Sequence, residues 1–139
     1  MRSAFFLIAT ILSTQLFGQL PVLVEQAFTK KFSSAKQVKW ERESDTEYEA
    51  NFTIDKVHYS ANFSSDGKWL ETESPCTYEQ LPADVLSAFE ITFPGKSPRH
   101  IYMIQTSDLK TLFELEILEG LHRRELLYYP DGKLFQREE

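Results

Sequence analysis

The stretch Leu20-Pro21-Val22-Leu23-Val24-Glu25-Gln26-Ala27-Phe28 returns in outline as Leu81-Pro82-Ala83-Asp84-Val85-Leu86-Ser87-Ala88-Phe89. The Leu-Pro pair, the valine and the Ala-Phe pair keep their spacing across a shift of 61 positions (20 to 81). Farther along, Asp66-Gly67-Lys68 recurs as Asp131-Gly132-Lys133, a shift of 65 (66 to 131). The chain therefore holds two related modules, and the second carries four extra residues (65 − 61).

Working outward from the quoted stretch, Ala27, Phe28 and Phe32 follow Val24 at helical spacing and form one apolar stripe. Val85, Ala88, Phe89 and Phe93 repeat it. Pro21 and Pro82 fall near the helix starts, where a missing amide hydrogen costs little. Pro94-Gly95 ends the second helix, and Ser33-Ser34 the first. An aromatic stripe of this kind reads as core.

After each helix the apolar period changes to two. Val38 and Trp40 alternate with charged residues, as do Tyr48, Ala50, Phe52 and Ile54 with polar ones, and then Val57, Tyr59, Ala61 and Phe63. A short strand at Trp69 follows the Asp66-Gly67 turn. In the second module Ile101 and Met103, then Phe113, Leu115 and Ile117, then Leu126 and Tyr128 repeat the order. The four extra residues lie between Ile101 and Phe113, around Ser107-Asp108. The expectation is an α+β protein of two tandem modules, each one helix packed on a four-stranded antiparallel sheet. The boundaries are residues 19–73 for the first module, 74–80 for a linker and 81–139 for the second.

Residues 1–18 read differently. Arg2 followed by the apolar run Ala4–Leu12, polar Ser13-Thr14-Gln15 and Gly18-Gln19 has the layout of a secretory signal peptide cleaved after Gly18. The run is shorter than the roughly 20 apolar residues of a membrane span. Cleavage would leave 121 residues (139 − 18) and move the formal charge from −6 to −7 by removing Arg2. The expected location is periplasmic or secreted, with no membrane span in the mature chain. Acidic balance and scattered Lys and Arg argue against nucleic acid, whose phosphates demand clustered cations. Cys76 is the sole cysteine, so an exported chain of this kind gains no internal disulfide and depends on packing.

No reaction is legible. His58, His100 and His122 show no metal-ligand spacing, and no nucleophile elbow or phosphate loop accompanies the serines and aspartates. Glu71 and Glu73 share one strand face, which reads as a solvated surface. The expectation is a non-enzyme without cofactor or metal.

The repeat allows the two outer faces to be compared. Opposite its apolar stripe, module one carries Lys39, Glu49, Asn51, His58, Ser60 and Asn62. Module two has Tyr102, Ile104, Leu127, Tyr129 and Phe135 there, alongside Glu114, Arg123 and Glu125. An aromatic outer face must be covered or left as a patch, and such patches mark interfaces. Three coverings compete: the other module or the linker, a second copy, or another protein or peptide. A one-residue slip at the Glu119-Gly120 hairpin would exchange the faces. Tyr102, Arg123, Leu127, Tyr129 and Phe135 are the candidate partner-binding residues.

Helix plus four strands, repeated behind a leader, resembles the PepSY-like family, related in fold to the beta-lactamase-inhibitor protein. The resemblance rests on Leu20-Pro21, Ala27-Phe28, their copies at 81–82 and 88–89, and the two Asp-Gly-Lys turns. The leader resembles those of Bacteroidetes-type bacteria. The resemblance implies an exported, non-catalytic, protein-binding module; the partner expected here is another envelope protein or a peptide. A self-associating structural envelope protein is the alternative, and an enzyme has the least support.

Overall fold

In the computed structural model, residues 19–136 are described; the leader expected at 1–18 lies outside them. Two ten-residue helices, α1 (Val22–Lys31) and α2 (Ala83–Thr92), accompany strands β1 (Lys36–Arg42), β2 (Glu47–Ile54), β3 (Val57–Ser64), β4 (Trp69–Pro75), β5 (His100–Thr106), β6 (Thr111–Glu119) and β7 (His122–Tyr128). A short 3-10 turn at Tyr78–Gln80 precedes α2.

Each helix starts just after its proline and ends on its phenylalanine. Pro21 and Pro82 occupy the N-cap positions, and the Phe32 and Phe93 amides donate to the Phe28 and Phe89 carbonyls at 2.8 Å. Val24 and Phe28 bury against Ala50, Phe52, Ala61 and Phe63. The Phe28 ring meets Trp40, Phe52 and Phe63 edge-on at centroid distances of 5.2, 5.1 and 6.1 Å, a favoured aromatic geometry. In the second half Val85 and Phe89 are fully buried on Phe113, Leu115, Ile117, Leu126 and Tyr128. Full burial of each such apolar side chain stabilises by about 1.5–3 kcal/mol.

The expected two sheets are one. All seven strands join in sequence order, β1 to β7, every neighbouring pair antiparallel. The join is β4 to β5, where Glu71, Thr72, Glu73, Ser74 and Pro75 pair with Thr106, Gln105, Ile104, Met103 and Tyr102. Residues 74 and 75, expected in a linker, are therefore strand. Pro75 is tolerated because the β3 ladder stops at Ser60 opposite Glu73, so no neighbour asks for its missing donor.

The second module also lacks its fourth strand among the described residues. Leu134, the counterpart of Trp69, makes one isolated bridge to Tyr128. Trp69 starts a strand held from both sides, by β3 and β5, whereas Leu134 has β7 alone. β7 nevertheless keeps the phase of β3: Leu126 and Tyr128 face α2 as Ala61 and Phe63 face α1. No slip exchanges the faces.

The repeated Asp-Gly-Lys turns do more than reverse the chain. Gly67 (φ 83°) lies against the α1 backbone, where an added Cβ would come within 2.7 Å of the Leu23 carbonyl oxygen. Gly132 (φ 79°) lies likewise against α2, with 2.5 Å to the Asp84 oxygen. Each turn thus seats a helix on its sheet at equivalent residues. A third turn has the wiring of the Ser64–Lys68 turn without that contact. Thr106 Oγ1 donates to Asp108 at 2.5 Å and accepts from the Lys110 amide at 3.1 Å, and Lys110 pairs with Asp108. Here Leu109, 93 % exposed, takes the glycine position at φ 65°.

The two kinds of turn should respond oppositely to substitution. Gly132→Ala meets the helix backbone in a left-handed conformation and is expected to lose about 2 kcal/mol or more. Leu109→Gly relieves strain in open solvent and should gain up to about 1 kcal/mol. Urea unfolding of both variants checks this; a neutral Gly132→Ala would mean that the helix is not seated by the turn.

Candidate binding face

The helices cover one side of the sheet, and strand pairing decides what shares the other. Reading across the strands, one row runs Glu41, Glu49, Asn62, Glu71, Thr106. The next runs Lys39, Asn51, Ser60, Glu73, Ile104, Leu112. A third joins Pro75, Tyr102, Glu114 and Leu127, and a fourth His100, Glu116 and Glu125. The modules meet edge to edge, so neither sheet half lies on the face of the other.

All five residues singled out from the sequence fall in the second half, though not at one point. Tyr102 and Leu127 flank Glu114 in a single row. Arg123 stands two rungs from Glu116, on the same face, with Nη1 3.8 Å from Glu116 Oε2. Tyr129 and Phe135 lie beyond the end of β7, their rings edge-on at 5.5 Å. The Phe135 amide donates to the Leu127 carbonyl at 2.8 Å, which ties this pair to Leu127. The arrangement is a band of apolar and aromatic side chains interrupted by carboxylates.

The burial of carboxylates is what sequence reading passed over. Glu114 and Glu116 are buried, at 8 % and 3 % exposure. Their alternation with Phe113, Leu115 and Ile117 placed them on the outer face; their burial depends on neighbours from other strands. Glu71 and Glu73 read as solvated until β5 paired beside them. Burial, and then the charges of Glu73, Glu114 and Glu116, push the Tyr102 phenol upward. One tyrosine thereby records acids from β4 and β6 together.

Glu49 shows the same crowding in the first half. It accepts from Asn51 Nδ2 at 2.9 Å. Burial, followed by the charge of Glu43 and a hydrogen bond with it, raises its carboxyl from 4.5 to about 8. Glu73 adds to the rise.

The histidines do not form a centre. His58 and His122 are exposed on β3 and β7, His100 stacks on Tyr102 at 6.4 Å, and no group of three or more potential metal ligands occurs among the described residues. The open grooves by the β1 bulge, lined by residues such as Lys36, Gln37, Thr53 and Asp55, lie far along the sheet from the aromatic band. No described helix is long and apolar enough to cross a membrane.

Because the folded protein holds the Glu49 proton more tightly than the unfolded chain does, stability should fall as pH rises from about 4.5 to about 8. Glu49→Gln is expected to flatten that decline and to exceed the parent in stability above pH 8. Denaturant unfolding at both ends of the window measures it; an unchanged slope in the variant would refute the assignment.

The fold and face can be set beside known proteins. The profile of the beta-lactamase-inhibitor-like, PepSY-like family matches residues 16–58 and 46–136. No curated protein matches the chain. Among solved structures, a candidate periplasmic protein of Bacteroides eggerthii is similar at 20 % identity and TM-score 0.75, covering 86 % of this chain and 88 % of its own. A DUF2874 family protein of Bacteroides uniformis follows at 19 % and 0.74, with 85 % and 88 % covered. A BLIP-like protein of Bacteroides fragilis stands at 21 % and 0.69, with 86 % of each chain covered. Two overlapping family matches fall on a chain whose two halves repeat each other, and together they span nearly all of it; the chain belongs to the PepSY-like family.

Proposed function

We propose that this is an exported, non-enzymatic binding protein that recognises a protein or peptide through the outer face of its second sheet half. The observation that carries the reading is β7. Leu126 and Tyr128 are buried under α2, while Leu127 on the opposite face is half-buried with no helix above it. A strand whose last residues, Leu126 to Tyr128, are apolar on both sides, in a sheet with helices on one, leaves a surface suited to a partner. Arg123, Tyr102, Tyr129 and Phe135 are of the types enriched at binding hot spots, or aromatic like them.

Kinship supports the reading. Relatives named for likeness to a beta-lactamase inhibitor belong to a class in which a protein meets a protein, and a neighbour described as a candidate periplasmic protein fits the leader read at residues 1–18. Periplasmic or secreted placement follows from that leader.

The double variant Tyr129→Ala, Phe135→Ala tests it. Immobilised parent protein should retain a specific envelope protein or peptide from the producing cell's own extract, identified by mass spectrometry. The variant should lose at least about tenfold in capture, the scale of a hot-spot pair, with circular dichroism and melting nearly unchanged. Equal capture by both proteins would remove the site.

A further inference from the structure

Two independent observations on the outer face point to the chemistry of what it takes. The first is charge. Glu41, Glu71, Glu73, Glu114, Glu116 and Glu125 share this face with Lys39 and Arg123, so carboxylates from four strands dominate it across both halves. The second is Glu116. Its side chain is almost wholly buried, yet among the described residues Oε1 has no hydrogen-bond partner, and Oε2 pairs with Arg123 at 3.8 Å. That separation is too long for a hydrogen bond. A carboxylate withdrawn from water is costly unless donors replace the water.

We propose that the outer face between β4 and β7 docks a cationic, extended polypeptide segment, one of whose arginine or lysine side chains donates to Glu116 while apolar neighbours lie on Tyr102 and Leu127. This rests on the binding reading above and specifies its partner. Extended chain suits the face because side chains alternate along a strand, so every second residue points the same way. A donor for Glu116 and an apolar contact for Leu127 can then come from one segment. Charge complementarity also decides against a second copy, which would bring the same carboxylates to meet these.

The test uses two labelled nine-residue peptides, one alternating arginine with leucine and one with glutamate in place of arginine, titrated into the purified protein by fluorescence anisotropy. The arginine peptide should bind and the glutamate peptide should not, and the affinity should fall steeply with added salt. Glu116→Gln should weaken binding by about tenfold or more. Glu125→Gln, from the same row on a less buried residue, should weaken it too and keeps the test open if the first variant folds poorly. Glu25→Gln removes an equal charge from the helix-covered side and should leave affinity within about twofold, because exposed charges a Debye length or more away are screened.

Equal losses from Glu25→Gln and Glu125→Gln would reduce the effect to net charge and overturn the proposal. So would equal binding of both peptides, or a dimer abolished by Glu125→Gln, which would give the face to a second copy. If the arginine peptide fails while capture through Tyr129 and Phe135 succeeds, the cationic assignment falls and the binding reading stands. If arginine-peptide binding depends on Glu116 while envelope capture ignores Tyr129 and Phe135, the aromatic site falls and the acidic one remains.

Discussion

The ladder between β4 and β5 is the interaction on which everything else in this molecule depends. Without it there would be two small units, each with one helix on a few strands and an exposed sheet edge. Small cores of that size are marginal, and open edges invite mispairing. Pairing the last strand of one copy with the first of the next removes both edges and makes one sheet with one continuous outer face.

The four extra residues of the second copy build that ladder. Arg42 pairs with Tyr48 as Met103 pairs with Phe113, so five residues between partners become nine. The surplus forms two more rungs, Ile104 with Leu112 and Gln105 with Thr111. Ile104, Gln105 and Thr106 are also the residues that meet Glu73, Thr72 and Glu71. Backbone bonds from Ser107 to Leu70 (2.7 Å) and from Cys76 to Ile101 (2.9 Å) close the ladder at its two ends. Ile104 and Leu112 are buried although neither belongs to a helix-covered cluster, so the lengthened hairpin places apolar mass on the outer face as well. One insertion joins the copies and sets the apolar centre of the face, with acids from β4 brought alongside.

Much of this was legible beforehand, and the limit has a physical basis. Helices and strand phases could be read because Val24, Phe28, Ala61 and Phe63 obey local periods that their copies repeat. Alternation decides which side of a sheet a residue faces; it is silent on which strand lies next to it. That is why Glu71 and Glu73 read as ordinary surface and why residues 74–75 read as linker. Gly67 and Gly132 gave a similar half-answer. Their turns were plain from sequence, but their contact with Leu23 and Asp84 is long-range and leaves no local trace. The comparison of copies put Tyr102, Arg123 and Leu127 on the side away from the helices, and strand pairing puts them on that side. Glu116 was not singled out, because its burial comes from neighbours on other strands.

If the seam makes the two copies one structural unit, they must unfold together. Differential scanning calorimetry of the protein measures this directly. The account predicts one transition in which the calorimetric and van't Hoff enthalpies agree. Two resolved transitions, or a calorimetric enthalpy well above the van't Hoff value, would show the halves melting independently and would contradict it.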